Sequence, residues 1–282
     1  MKITTLVENT GWEGNKDLQT EKGLSLHISY GDRQILSDTG INGAFAQNAK
    51  RLGIELQDVD FAVISHHHFD HGGGLAPFLK ENSKARVYLR GKGVGEHYFR
   101  ILGTINKYVG LDKRVFVEYS NRLDFIDKST EISPGVFILT RIVEMYPQPK
   151  GNKFLLDRKD NTWSFDTFEH ELILVIREDE GLVVFTGCSH RGILNIVETV
   201  IRDFSGVPIK AVIGGFHLIS LPMFNTMSAS KSEVESIGQA MLKYPIEKIY
   251  TGHCTGQKAY RILKQVMGER LAYISTGSSI EI

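Results

Sequence analysis

Ser65-His66-His67-His68-Phe69-Asp70-His71-Gly72-Gly73-Gly74, directly after the apolar run Phe61-Ala62-Val63-Ile64, is the stretch that decides how this chain reads. His66, His68 and His71 offer imidazole nitrogens and Asp70 a carboxylate oxygen, a donor set suited to borderline divalent metals. The spacing His-x-His-x-Asp-His does not fit one face of a helix, where neighbours sit three or four residues apart. It fits a loop leaving a buried strand. There His66 and His68 can project to one side, while Asp70 and His71 turn toward a second position roughly 3.5–4 Å away, the separation of metals in two-metal hydrolytic sites. The plain alternative is a polar loop that happens to be rich in histidine; a purification tag is set aside because the run lies inside the chain.

Outward from this loop the pattern alternates strands and helices. Upstream, Ile3–Glu8, Leu24–Tyr30 and Gln34–Ser37 read as strands, with a hairpin turn at Gly31-Asp32. Asp38-Thr39-Gly40 follows, then Ala44, Phe45, Asn48, Ala49 and Leu52 at helical spacing. Downstream, the spacing predicts a helix over Leu75–Glu81 and a strand over Arg86–Arg90. From about residue 91 to 125 the pattern loosens, Val94–Leu102 reads as a helix, and the segment is expected to elaborate the fold over a site. Tyr98, Phe99, Arg100, Tyr108 and Phe116 there could stack on or clamp a flat, phosphorylated ligand, or simply form the core of a lid. Met145–Asn152 is a loop by composition.

The second half repeats the order. Leu172–Ile176 and Leu182–Phe185 form a hairpin around Asp179-Glu180-Gly181, and Ile193, Ile196, Val197, Val200 and Ile201 draw an amphipathic helix. Lys210–Ile213 and Lys248–Tyr250 read as strands, and Ser230-Lys231-Ser232-Glu233 is a capping box opening a further helix. A last helix is expected to be capped by Thr255 and stopped at Gly268. This order predicts an α/β chain forming a single domain over residues 1–282, a four-layer αββα sandwich of two mixed sheets with helices outside.

Bulk composition narrows the function classes. Lys plus Arg balances Asp plus Glu at 33 each, so no global field draws the chain to nucleic acid or to a membrane surface. The N-terminal segment lacks the apolar core of a secretory signal, and no apolar run approaches the length of a membrane span. Two cysteines, Cys188 and Cys254, are too few for a disulfide scaffold, which points to the cytoplasm. Oligomeric state leaves no mark on the sequence.

Three strand ends in the second half carry histidine beside glycine: Thr186-Gly187-Cys188-Ser189-His190, Gly214-Gly215-Phe216-His217 and Thr251-Gly252-His253-Cys254-Thr255. Glycine lets backbone approach a small centre closely and turn sharply after a strand. Any one of these histidines alone could be structural; three of them matched with the first loop point to one chemistry.

With these residues in view, the chain resembles the metallo-β-lactamase-fold hydrolase superfamily, whose signature stands here as His66-His67-His68-Phe69-Asp70-His71, with Asp38-Thr39-Gly40 upstream and Gly252-His253 near the end. More narrowly, Gly187-Cys188-Ser189-His190-Arg191-Gly192-Ile193, Gly-Gly-Phe-His and Thr-Gly-His-Cys-Thr resemble a prokaryotic branch. That branch includes an archaeal synthase joining a dihydropterin to a ribofuranosylaminobenzene phosphate. The resemblance implies two divalent metal ions, zinc foremost, with manganese, iron or magnesium as alternatives. His66, His68 and His190 would hold one, and Asp70, His71 and His253 the other. The superfamily's bridging aspartate is replaced by Cys188, which either binds or bridges through a soft thiolate or leaves the role to His190; a small buried filler is its bland reading.

Asp70, holding the nucleophilic water, and His217, as oxyanion donor or substrate contact rather than ligand, are the candidate catalytic residues. Asp38 is expected to orient a ligand histidine and His67 to orient the loop; His27, His97 and His170 carry no motif, although His97 could line a pocket. The leading expectation is a hydrolase acting on a phosphoester or other ester of a small molecule, with His68 standing where the diiron redox branch commonly has glutamate. The alternative is a transferase condensing a dihydropterin diphosphate with an arylamine. A non-catalytic module stabilised by metal fits less well, because structural zinc sites are usually closed and rich in cysteine. The expected partner is a small-molecule substrate, phosphorylated in the leading reading, with neither membrane nor nucleic acid.

Overall fold

The computed structural model describes residues 1–221 and 226–282, with side chains for all of these except Ser220 and Leu221. The chain divides into two compact units, one of Met1–Asp127, Leu155–His170 and Ile274–Ile282, the other of Lys128–Phe154 and Glu171–Tyr273.

The first unit is built on a seven-stranded mixed sheet in the order Ser279–Glu281, Lys2–Val7, Ser25–Tyr30, Arg33–Ser37, Phe61–Val63, Arg86–Arg90 and Leu123–Ile126. The first four are antiparallel neighbours, and a two-residue turn with Gly31 at φ 58° joins Tyr30 to Arg33. From Arg33–Ser37 onward the pairing is parallel, which needs crossovers, and the helices Ala44–Arg51 and Leu75–Glu81 provide them. Phe45, Ala49, Phe78 and Leu79 from these helices pack with Leu36, Ala62, Val87 and Leu89 of the sheet in one buried cluster. The interior strand Phe61–Val63 is buried along its whole length, which is why it is continuously apolar rather than alternating. At the other edge Ser279–Glu281 lies along Lys2–Thr4, and the N-terminal ammonium of Met1 donates to the carbonyl of Ile282 at 2.6 Å.

The helix expected over Val94–Leu102 is instead a strand, Glu96–Ile101, in a four-stranded antiparallel sheet ordered Thr162–Phe165, Leu155–Lys159, Glu96–Ile101 and Ile105–Tyr108. Tyr98, Phe99 and Ile101 fit helical spacing, but aromatic and β-branched side chains also suit a pleated surface. Pairing with a segment almost sixty residues downstream decided the outcome. The short helix Lys113–Glu118, capped by Asp112, completes the elaboration.

The second unit has its own seven-stranded mixed sheet: Leu271–Tyr273, Ile246–Thr251, Ile209–Gly214, Gly181–Phe185, Ile173–Glu178, Val136–Leu139 and Thr130–Ser133. The first four are parallel, the rest antiparallel. Val184 and Val212 of the sheet are buried with Ile196 and Val200 of the helix Ile193–Asp203 and Leu263 of the helix Gln257–Met267. The helix Lys231–Met241 opens with the expected capping box, Ser230 and Glu233 satisfying each other's backbone N–H. The last helix departs from expectation: Gly256, at φ 73°, precedes it, and the Thr255 hydroxyl instead accepts the Phe216 N–H at 2.9 Å.

The expected α/β class, with mixed sheets and helices, is what the chain adopts. Among the described residues no helix is long and apolar enough to cross a membrane. In both units the motif loops leave the carboxyl ends of parallel strands, the position where open α/β sheets present their ligands.

Candidate functional site

In the first unit the loop begins as Ile64 donates its N–H to Tyr88 at 2.9 Å, the last rung of the parallel ladder, and ends in the single helical turn Phe69–Gly72. His66, His67, His68 and His71 are all buried, and Asp70 is half-buried. The His66 and His71 rings lie 4.2 Å apart and those of His66 and His68 4.8 Å apart, centre to centre. Asp38, at the end of the neighbouring strand, organises this loop. Its Oδ1 accepts the Ser65 N–H at 2.8 Å, and its Oδ2 accepts the Ser65 hydroxyl at 2.7 Å and His71 Nδ1 at 2.6 Å. Asp38 sits at φ 60°, a left-handed conformation that aspartate tolerates better than most residues.

The Asp38 carboxylate can only accept, so Nδ1 of His71 carries the proton and Nε2 keeps a lone pair. That Nε2 lies 3.9 Å from Asp70 Oδ2. Two ligands on one tetrahedral ion, with bonds of about 2.1 Å, stand about 3.4 Å apart, so the pair needs little movement to share a divalent cation. The donor set of this unit therefore fits a metal, and Asp38 has the expected orienting role.

Close backbone approach explains the glycine triplet. A Cβ on Gly73 would sit 2.1 Å from the Ile41 carbonyl oxygen and 2.4 Å from that of Phe69; one on Gly74 would sit 2.3 Å from that of Thr39. The loop is pressed onto Thr39–Asn42, and the Thr39 N–H donates to the His71 carbonyl at 2.6 Å.

Behind the loop lies a cluster without a sequence motif. His68, His97, Asp166 and His170 are buried with one donor atom each within 4.8 Å of the others. Asp166 is its hub: Oδ2 lies 3.1 Å from His170 Nε2, 3.2 Å from His97 Nδ1 and 3.6 Å from His68 Nε2, and Oδ1 accepts the Phe168 N–H at 2.7 Å. His170 Nδ1 accepts the His67 backbone N–H at 3.0 Å, so its Nε2 carries the proton given to Asp166. Burial alone would raise Asp166, but His170, His68 and His97 hold it well below the usual carboxylate range. Burial opposes charge on His97, yet its hydrogen bonds to Asp157 and Asp166 push it up to about 9. His170 is brought down to about 4 and His67 well below its ordinary value, burial being the main cause in both. Sequence reasoning passed over Asp166 and gave His170 no motif. The one available signal was an aspartate at a strand end with a histidine four residues later.

In the second unit the loop after Phe185 is held by Glu171, whose carboxylate accepts the His190 N–H at 2.7 Å and the Arg191 N–H at 2.8 Å. Burial pushes Glu171 up to about 7, against the pull of those two N–H groups. Asn152 grips His190 from its other side, donating to its carbonyl at 2.8 Å and meeting Nδ1 at 3.2 Å. Donor atoms of Cys188, His190 and His217 lie within 4.8 Å of one another, and the His190 and His217 rings are 4.2 Å apart. His217 and His253 both take left-handed conformations, at φ 47° and 48°, and the His217 N–H donates to Cys254 Sγ at 3.3 Å. Gly214, at φ 148°, allows the close approach: a Cβ there would meet the Thr186 carbonyl oxygen at 2.0 Å. His27 lies in the strand Ser25–Tyr30, outside these groups.

A family model described as the metallo-beta-lactamase superfamily matches residues 23–253. The chain is 30% identical to a Methanocaldococcus jannaschii protein named 7,8-dihydropterin-6-methyl-4-(beta-D-ribofuranosyl)-aminobenzene-5'-phosphate synthase, over 100% of this chain and 96% of that protein. A second protein of that organism, described as uncharacterized, is 28% identical over 94% of each chain. Among solved structures, the crystal structure of a metal-dependent hydrolase of the beta-lactamase superfamily superposes with a TM-score of 0.83 at 32% identity, over 100% of this chain and 99% of that one.

Proposed function

The chain belongs to the metallo-beta-lactamase superfamily and has its α/β fold, and from that premise we propose that this metal-dependent enzyme hydrolyses a phosphoester or other ester of a small molecule. The observation that carries the reading is the buried His66–His71 loop with its Asp38 support, a donor set built for divalent metal. We assign His66, His68, Asp70, His71, Cys188, His190 and His253 as ligands of two ions, zinc foremost and manganese, iron or magnesium as alternatives. Bound there, the ions would supply a nucleophilic water at neutral pH and polarise the attacked oxygen. Asp70, half-buried, would hold that water by a hydrogen bond. Asp38 keeps the His71 lone pair facing inward, and Glu171 fixes the backbone that presents His190. His217 donates to the charge that develops on substrate. The buried thiols of Cys188 and Cys254, the two cysteines of the chain, support a reducing, cytoplasmic setting.

A second reading, a transferase that condenses a dihydropterin diphosphate with an arylamine, draws support from the 30% identity to the synthase along the whole chain. Metal-loaded protein assayed on a phosphodiester, a thioester, a lactam and a pterin diphosphate with an arylamine separates the two. Phosphoester cleavage supports hydrolysis; pyrophosphate release only when the arylamine is present supports transfer. In either reading, His68→Ala and Asp70→Asn are expected to lower turnover at least a hundredfold with the far-UV circular dichroism unchanged. Wild-type turnover in both would sink the assignment.

A further inference from the structure

We propose that His97, Asp157 and Asp166 hold a divalent cation of the manganese class, in addition to the ions assigned to the histidine loop and sharing no ligand with them. The three side chains meet through the four-stranded sheet of the first unit. His97 in Glu96–Ile101 and Asp157 in Leu155–Lys159 stand directly opposite each other in the antiparallel ladder, so both side chains leave the same face. Asp166 follows Thr162–Phe165 and donates its N–H to the Leu155 carbonyl at 3.1 Å, which brings its carboxylate to the same place.

One ring nitrogen faces two carboxylates here. His97 Nδ1 lies 2.7 Å from Asp157 Oδ1 and 3.2 Å from Asp166 Oδ2. His97 Nε2 lies 3.0 Å from the Gly93 carbonyl oxygen, which can only accept, so that nitrogen donates and Nδ1 is the one turned to the acids. A single N–H cannot point along two hydrogen bonds at once, and among the described residues neither carboxylate has a Lys or Arg partner. His97 and Asp166 are buried, where a poorly served carboxylate is costly. A dication placed among the three atoms serves all of them. An octahedral ion with bonds of about 2.1 Å sets neighbouring ligand atoms about 3.0 Å apart, and 2.7 and 3.2 Å fall on either side of that spacing.

The neighbouring groups hold these donors in place. The Phe168 N–H donates to Asp166 Oδ1 at 2.7 Å and His170 Nε2 donates to Oδ2 at 3.1 Å, which fixes the carboxylate and leaves Oδ2 a further lone pair. His68 Nε2 also faces Oδ2, at 3.6 Å, and stays with the loop. A backbone carbonyl behind the imidazole, as Gly93 stands behind His97, is the usual support of a metal-binding histidine. The Asp157 side chain is 25% exposed and His97 lines a cavity of about 570 Å³, so an ion has a way in. Two carboxylates with one imidazole make a harder donor set than the histidine loop, suited to Mn²⁺. Bound there, the ion would tie Glu96–Ile101, Leu155–Lys159 and Asp166 to one another.

The test is equilibrium dialysis of chelated protein against MnCl₂, with free Mn²⁺ read by electron paramagnetic resonance. Wild type is expected to bind a Mn²⁺ ion at micromolar to submillimolar concentration that Asp157→Asn and His97→Gln each bind about tenfold or more weakly. Asp38→Asn, which disturbs the histidine loop instead, should leave this ion at its wild-type affinity. Asp157→Asn has the same shape at a partly exposed position, so it reads the site even where His97→Gln fails to fold. If wild type at about 1 mM Mn²⁺ binds no more than Asp157→Asn does, the three side chains form a proton-bridged ion pair only and the proposal is overturned. Loss of the ion in Asp38→Asn with full retention in Asp157→Asn overturns it as well. Turnover plays no part in the readout: this ion bound by a protein without hydrolase activity would keep the site and sink the hydrolase, and turnover without it would do the reverse.

Discussion

Replacing Asp38 by asparagine isolates what a single carboxylate contributes to the metal loop. Asparagine has the same shape and tolerates the φ of 60° at this position, so the change adds no backbone strain. The amide oxygen can still accept the Ser65 N–H now bound at 2.8 Å, and the Ser65 hydroxyl can rotate. His71 cannot adapt so freely. Its Nδ1–H, 2.6 Å from the carboxylate, would face an NH₂ group, and relief by moving the proton to Nε2 removes the lone pair that a metal needs. A hydrogen bond to a charged partner contributes about 1.5–3 kcal/mol, which corresponds to about 10- to 150-fold in an equilibrium constant. We therefore expect Asp38→Asn to bind zinc about 10–100-fold more weakly in competition with a chromophoric chelator, in line with the usual cost of losing a carboxylate behind a ligand histidine. The metal-free protein should lose about 2 kcal/mol in urea unfolding, and nitrogen-15 shifts of His71 should report the altered tautomer. Zinc affinity within threefold of wild type, with unchanged His71 shifts, would refute the claim that Asp38 sets this ring.

Gly73→Ala places a methyl group against two backbone oxygens that cannot swing aside, at 2.1 and 2.4 Å, and should cost about 3 kcal/mol or more in denaturant unfolding; a loss under about 1 kcal/mol would mean the loop yields easily. Asp166→Ala strips the shared acceptor from His68, His97 and His170 and should destabilise the metal-free protein by about 3–5 kcal/mol, read from the same unfolding curves. His97, raised to about 9 from an unfolded value near 6.5, contributes stability that is full below pH 6.5 and is lost as pH rises through 9. Chelated protein should accordingly unfold at lower urea as pH goes from 7 to 10, with a flatter dependence in His97→Gln; identical slopes would exclude His97 as the source.

The part of the site that could be read directly is contiguous in the chain. His66 to His71 declare themselves by spacing, and Asp38 by standing at the end of the adjacent strand. The Gly-His strand ends of the second unit were legible for the same reason: the glycine and the histidine that depend on each other are neighbours in sequence. His97, Asp166 and His170 were not. Their meeting depends on Glu96–Arg158 pairing between strands that local periodicity does not link, and the first of those strands carries apolar residues spaced as a helix would have them. Thr255 misled in a smaller way. A threonine before a helix reads as a cap, but its hydroxyl was already engaged by the Phe216 backbone, and glycine at φ 73° took the turn.

The pairing of Ser279–Glu281 with Lys2–Thr4 puts a delay into biosynthesis. Thr4 meets Ser279, 275 positions later, so at roughly 5–20 residues per second Lys2–Val7 waits about 14–55 s for the neighbour on its outer side. Through that interval its N–H and C=O groups on that side are open to any extended segment, including the same strand of another nascent chain on the polysome. The first sheet is therefore completed only once Ser279–Glu281 has been made, and yield in the cell will depend on ribosome pace and on chaperone occupancy of that one edge.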